Sequence, residues 1–326
     1  MIYVDNNCLD PFFNFALEYY LLKEYDLGED VFLFWRTEPA LMIGRYQNTL
    51  EEINQDYIKT KNIHVVRRIT GGGTIYTDPN GWQFSFIIRN KPYNEINFKI
   101  YTDPIIDALS ALGINAYFNN RNDILIDGKK ISGNAQYSDE NCVLHHGSLL
   151  FNTNISEMVK SITVSDDKII SKGIKSVRDR VANISDFLNK KIDALEFKKL
   201  ILNHLKKNIS GTYSLTAKDI SRVYELADIK FRRWDWNYGA SPDYNIVKSN
   251  RFKGGKIQFN LNIHNGYIEQ CKIYGDFFCR GEVEVVSQSL IGCIYKENEI
   301  KNTLEQIKAE SLFYNIGINE LVSCII

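Results

Sequence analysis

A chain of 326 residues, 44% hydrophobic and 24% charged, has the composition of an ordinary globular protein with room for one large domain or a large and a small one. Its formal net charge of −1 leaves no electrostatic footprint for a nucleic acid. No apolar run approaches the roughly 20 residues of a membrane span, the opening MIYVDNNCLD is unlike a signal peptide, and six cysteines without CxxC spacing fit reduced thiols. The expectation is a cytoplasmic monomer with no nucleic-acid or membrane partner.

Residues 11–27, PFFNFALEYYLLKEYDL, show helical apolar spacing behind an Asp-Pro start and predict an amphipathic helix. Strand-like runs follow at 31–36, 41–44, 63–68, 74–77 and 82–88. A second helix is expected over 97–112, closed by Gly113. Short strands at 114–118, 123–126, 129–132 and 142–151 lie between Asn, Asp and Gly turn signals. The stretch 155–229 reads as mostly helical, most clearly at 193–207. Residues 239–243, GASPD, break the pattern as a linker, dividing the chain into units 1–242 and 243–326. The second unit shows strands at 245–252, 256–264 and 267–274 joined by Gly-Gly and Asn-Gly turns. Two helices, 281–291 and 299–309, close it. The fold class is α+β, a large mixed unit followed by a small α+β module.

Three segments carry chemistry. In the first, Arg67 to Asp78 (RRITGGGTIYTD), three consecutive glycines leave no side chain between backbone and ligand. Such a loop can aim N–H groups at one anion, and two neighbouring arginines add charge and planar donors. The spacing is neither GxGxxG nor a P-loop. A flexible hairpin with surface arginines explains the segment equally well. The second segment is Arg121-Asn122-Asp123 with Gly128 to Ala135 (GKKISGNA). An Asp-Gly turn starts a strand in which strict alternation puts Lys130, Ser132 and Asn134 on one face and Lys129 with Ile131 on the other. Lys130 can then meet a phosphate as a point charge, although most such lysine pairs are simply solvated. The third segment holds His145 and His146. Adjacent strand residues face opposite ways, which argues against a two-His metal centre and leaves one histidine for a pocket and one for structure.

In this order and separation the segments resemble the lipoate–protein ligase A family of the biotin/lipoate ligase superfamily. Further matches are Asn14-Phe15-Ala16-Leu17-Glu18, Trp35-Arg36, Ile43 to Asn48, Lys172 to Arg178, Arg180-Val181-Ala182-Asn183 and Trp234 to Gly239. The resemblance spans residues 14–239, and the tail is similar to the small C-terminal domain of the bacterial enzymes. It implies a biotin/lipoate-ligase-like catalytic domain and two half-reactions. Lipoate and ATP first give lipoyl-AMP and pyrophosphate. A lysine of an apo lipoyl domain, in 2-oxoacid dehydrogenase E2 subunits or the glycine cleavage H protein, then takes the lipoyl group. By position, Arg68 and the stretch Gly73, Thr74, Ile75 and Tyr76 are implied to hold ATP, with Asn122 and Asp123 near the nucleotide. Lys130 is implied to touch both the α-phosphate and the lipoate carboxylate, as the catalytic residue. Leu17, Trp35, Gly72 and His146 are the implied wall around the lipoyl chain; for Leu17 and Trp35 ordinary core is the competing reading. Mg²⁺ is expected to accompany ATP, with Asp123 a candidate to place it. The segment Lys172 to Arg178 resembles the loop that folds over the adenylate.

The chain departs from the family pattern at Thr77, where many relatives carry His before the Asp, which bears on acyl specificity or rate. Two rival readings follow from the same fold: an ATP-independent octanoyl or lipoyl transferase with a cysteine nucleophile, for which Cys142 is the candidate, and a non-catalytic lipoate-binding protein.

Overall fold

The structure is a computed structural model, and it describes residues 1–89, 96–139, 141–162, 179–238, 246–264 and 266–326. The linker expected at 239–243 and the Lys172 to Arg178 segment fall outside those residues.

The architecture is mixed α+β, as the sequence implies. Eight strands form the main sheet: β1 (Ile2–Asp5), β2 (Val31–Trp35), β6 (Trp82–Arg89), β7 (Tyr117–Phe118), β8 (Asp123–Ile126), β9 (Lys129–Ser138), β10 (Cys142–Leu149) and β11 (Gly211–Ser214). Their order is β11-β1-β2-β6-β10-β9-β8-β7. Pairing is parallel between β11, β1 and β2 and antiparallel from β2 to β7. A second sheet, β4-β3-β5, joins β3 (Ala40–Ile43), β4 (His64–Arg67) and β5 (Ile75–Thr77). The third sheet, β12 (Ile246–Phe252), β13 (Gly255–His264) and β14 (Tyr267–Gly275), is an antiparallel meander.

One face of the main sheet packs aromatic residues against the helices Lys99–Ser110 and Ala194–Leu205; Phe34 stacks flat on Trp82 with centroids 4.8 Å apart. The other face packs on helix α1 (Pro11–Lys23). Asp10 caps α1 by accepting from the Phe12 backbone N–H at 2.9 Å, and Pro11 sits at the first helical position. The helix is buried nearly all round. It ends at Lys23 rather than at 27, because Tyr25 folds back to stack on Tyr20 at 5.3 Å and Asp26 bonds the Gly28 N–H in a turn.

The expectation of a mostly helical 155–229 needs correction: β11 lies inside it and pairs in parallel with β1. Both strands are four residues long and escape a periodicity count. Four helices, Thr49–Glu52, Gln55–Lys61, Trp234–Asn237 and Ile318–Ile325, also lie where no element was assigned. β9 runs to Ser138 instead of stopping at 132. The C-terminal sheet and its helices bury a second core, which Tyr46 of the first unit joins by stacking on Phe277. The C-terminal unit rests on the glycine turn: Gly72 N–H donates to the Phe277 carbonyl at 3.0 Å, Gly275 N–H to the Tyr46 carbonyl at 2.5 Å, and Arg45 pairs with Glu282 and Glu284 at 3.2 Å.

Candidate active site

The site lies between the α1 face of the main sheet and the small β4-β3-β5 sheet. Register places Gln83 of β6 opposite Ser148 of β10, and Ser85 opposite His146, which in turn faces Ala135 of β9. The cavity, about 100 Å³, is lined by Phe15, Trp35 and Met42 at one part and by Asn122, Lys130 and Gly133 at another, with Arg68, Gly72, Gly73, Thr74, Ile75 and His146 between.

Lys130 is aimed by a bulge. Leu125 pairs with Lys130 and Ile124 with Ser132, leaving Ile131 as an extra residue in β9. Strict alternation is therefore broken: Gly133, not Ser132, lies beneath the Lys130 side chain, whose Nζ would be 2.7 Å from a Cβ at residue 133. Ser132 instead turns to Asn134, which donates to its hydroxyl at 3.2 Å. The Lys130 ammonium pairs with Asp123 Oδ1 at 2.8 Å, and Asp123 Oδ2 accepts from Asn119 at 3.1 Å. Ala182 N–H holds the Lys130 carbonyl at 3.0 Å, so the Arg180 to Asn183 segment fixes the lysine backbone. Asn122 is clamped to Asn134 by reciprocal bonds of 2.8–3.1 Å.

The two histidines divide as expected. His145 is fully buried on the far face, stacks on Tyr101 at 4.6 Å and donates through Nε2 to Asn134 Oδ1 at 3.2 Å; burial pushes its pKa well down, so it is neutral. His146 lines the cavity and belongs to a chain that the sequence reading missed. Trp35 Nε1–H donates to Ser85 Oγ at 2.9 Å, and Ser85 donates to the buried Glu18 carboxylate. Glu18 accepts from His146 Nδ1 at 3.1 Å. His146 Nε2 meets Thr70 Oγ1 at 2.7 Å, and Arg68 Nε donates to the same oxygen at 3.0 Å. Arg68 can only donate to the Thr70 oxygen, and the Glu18 carboxylate can only accept from His146 Nδ1. The signal for Glu18 was a charged residue inside an apolar helix run.

Other expected residues are placed as follows. Trp35, Arg68, Gly72, Gly73, Thr74, Ile75, Asn122, Lys130 and His146 all line the cavity. Leu17 does not; it is buried in the core beneath the sheet. Tyr76 lines a neighbouring apolar cavity of about 220 Å³, together with Leu150, Met158, Val159, Ile162 and Val181, that shares Thr74, Ile75, Lys130, Gly133 and Ser148 with the first. The two arginines do not present free guanidinium groups to an anion. Arg67 is tied to the carbonyls of Gly44, Arg45, Gln47, Trp236 and Asn237. Arg68 directs four donors to Thr70, Met42, Gly71 and Gly73, and so braces the glycine turn. Nor do all the turn's N–H groups aim at one ligand, since Gly72, at φ +90°, gives its own to Phe277. These partners come from distant segments, which local patterns cannot register. At the departing position, Thr77 Oγ1 accepts from Gln83 Nε2 at 2.8 Å, and Gln83 lines the cavity.

Cys142 is at the wrong end of β10. It is buried beside α1, its thiol 3.1 Å from Asp139 Oδ1, and burial with that carboxylate pushes its pKa up to about 11. Four residues separate it from His146, roughly 13 Å of strand. A nucleophile needs exposure and a lowered pKa; Cys142 has neither. Asp123, engaged by Lys130 and Asn119, does not build a resident metal site, and no group of three His, Cys, Asp or Glu converges on one among the described residues.

Lys130 stands where two largely apolar cavities meet, beside the glycine turn, on a two-sheet α+β scaffold. Residues 10–206 match the lipoyl protein ligase A/B catalytic domain, and residues 241–325 match the bacterial lipoate protein ligase C-terminus. The chain belongs to the lipoyl protein ligase A/B family. It is 41% identical to a lipoate–protein ligase of Bacillus subtilis, with 100% of each chain covered. Its fold is similar to that of the P. falciparum protein LipL1 solved in complex with lipoate (24% identity, TM-score 0.79, 99% of this chain and 98% of that one). It is also similar to a bipartite lipoate protein ligase from Thermoplasma acidophilum, described with its E2 lipoyl domain (26% identity, TM-score 0.66, 75% and 98% covered).

Proposed function

We propose that the chain is an ATP-dependent lipoate–protein ligase that makes lipoyl-AMP and transfers the lipoyl group to a lysine of an apo lipoyl domain. The observation that carries this reading is Lys130, held by Asp123 where the two cavities meet. The cavity of Phe15, Trp35, Met42 and His146 takes the acyl chain, and the cavity of Tyr76, Leu150 and Val181 takes the base. The lipoate carboxylate and the α-phosphate then converge on one ammonium, which relieves their repulsion and holds the attacking oxygen in line.

The walls do the rest. The hydrogen-bond chain from Trp35 to Arg68 leaves His146 with both ring nitrogens engaged, so the acyl cavity presents packing surface. In the second half-reaction Lys130 stabilises the oxyanion formed when the acceptor amine attacks the mixed anhydride. Mg²⁺ is expected bound to the ATP phosphates, where it would offset their charge. The acceptors are E2 lipoyl domains, the glycine cleavage H protein, or both.

The test is a mass-shift assay with purified protein, lipoate, ATP and a panel of apo acceptors, beside lipoate-dependent exchange of pyrophosphate into ATP. A shift of one lipoyl group that requires ATP is the expected result. Modification without ATP, or no exchange at any lipoate concentration, overturns the reading.

A further inference from the structure

Thr74 lines three cavities, not two. The third, about 270 Å³, lies between the glycine turn and the C-terminal sheet and is polar. Gln47, Glu52, Gly73 and Thr74 form one wall, and Arg251, Lys256 and Asp276 form the other. Contact across it is close: a Cβ at Gly73 would lie 3.9 Å from that of Asp276.

The cleft sets two cations, Arg251 and Lys256, beside two carboxylates, Glu52 and Asp276. The Asp276 carboxylate is engaged on both oxygens, by the Lys256 backbone N–H at Oδ1 and by Arg251 Nη2 at 3.0 Å on Oδ2. Burial raises the Glu52 pKa, helped by the Asp276 charge, against bonds from Gln47 and Thr74 and the charge of Lys256 that lower it. The Lys256 ammonium, by contrast, has no carboxylate within ion-pair distance among the described residues. Lys256 thus acts on Glu52 across the cleft without a direct ion pair, which leaves its ammonium able to meet an anion there.

We propose that this cleft holds the β- and γ-phosphoryl groups of the nucleotide and the pyrophosphate they become, with Lys256 and Arg251 as its cationic contacts. The proposal rests on the ATP-dependent reading above and extends it to the leaving group. An α-phosphorus under attack has three things to place: the adenosyl group, the acyl carboxylate and the leaving group. Three cavities meet at Thr74, and two are apolar enough for the base and the lipoyl chain. As the carboxylate oxygen bonds to the α-phosphorus, the bond to the bridging oxygen breaks. Pyrophosphate departs with that oxygen and its electron pair. The new charge arises one phosphoryl group beyond Lys130, past the Gly73–Thr74 edge, where Lys256 and Arg251 stand.

The experiment compares the full chain with Lys256→Gln and with the Lys256→Gln/Arg251→Gln pair. Inhibition of adenylation by inorganic pyrophosphate and the KM for ATP are measured. Single-turnover transfer from supplied lipoyl-adenylate, which contains no pyrophosphate, is the internal comparison. Loss of one charge-assisted contact weakens pyrophosphate binding and raises KM for ATP about tenfold, with transfer changed by less than about twofold. Unchanged pyrophosphate inhibition in the double variant overturns the proposal, and so does an equal slowing of both half-reactions, which would mark Lys256 as a residue of domain packing. Absence of lipoate-dependent exchange in the unsubstituted protein removes the ATP-dependent reading first, and this subsite with it.

Discussion

The side chain of Lys130 lies directly over Gly133: a methyl group built at 133 would come 2.7 Å from Nζ and 2.9 Å from Cε. The bulge at Ile131 creates this arrangement by bringing residue 133 under the lysine. Gly133→Ala would therefore push the ammonium off its position without removing its charge. We expect lipoate-dependent pyrophosphate exchange to fall roughly 10–100-fold in that variant, and at least about 1,000-fold in Lys130→Met. Both should keep the unfolding temperature within about 2 °C. Full activity in Gly133→Ala would show that the position of the ammonium over residue 133 does not matter.

Much of this site was legible in the sequence because its chemistry sits in short contiguous segments. The glycine turn and Lys130 stand out by spacing, alternation separates the two histidines, and the family resemblance points to His146 as the one in the pocket. What escaped is what depends on contacts across the fold. The bulge replaced Ser132 by Gly133 as the neighbour of Lys130, an irregularity that no period-two pattern contains. Arg67 reads as a phosphate ligand beside a Gly-rich loop, yet it is a brace whose acceptors lie at 44–47 and 236–237. Phe277, more than 200 residues away, takes the Gly72 N–H.

Glu18 is a buried carboxylate held by Ser85 and His146, and the chain continues through Thr70 to Arg68 and the glycine turn. Glu18→Ala leaves Ser85 and the imidazole unpaired inside the protein. Removing one member of such a network costs about 3 kcal/mol. The variant should unfold at a distinctly lower urea concentration and show a raised KM for lipoate, because the cavity wall loses its fixed imidazole. Thr70→Ser retains the hydroxyl and should restore near-normal values where Thr70→Val does not. Equal behaviour of Ser and Val at position 70 would remove the network from the account of lipoate binding.

Cys142→Ser should leave ligation within about twofold of the unsubstituted rate. The thiol is buried beside α1 and its pKa is pushed up to about 11, so it is protonated and out of reach at neutral pH. A transferase mechanism would lose all activity in this variant. The measurement is the rate of lipoyl-domain mass shift with ATP present, repeated without it.

Asp219 is one carboxylate on which acid stability depends: it closes the capping box of the helix Ala217–Leu226 with Thr216 and ties that helix to α1. Burial alone would raise its pKa. Bonds from the Thr216 hydroxyl at 2.7 Å, the Tyr213 hydroxyl at 2.7 Å and the Tyr20 hydroxyl at 2.7 Å outweigh burial and hold it down to about 2. In the unfolded chain the carboxyl returns to about 3.9. The folded pKa is the lower one, so its stabilisation is complete above the unfolded value and disappears as pH falls through about 2. The shift corresponds to roughly 2 kcal/mol at neutral pH. Asp219→Asn should be destabilised by about that amount at pH 7 and should show less loss of urea resistance between pH 5 and 2 than the unsubstituted chain. Parallel stability curves for the two proteins across that interval would place the acid sensitivity in other carboxylates, with the Tyr20–Asp219 contact contributing only packing.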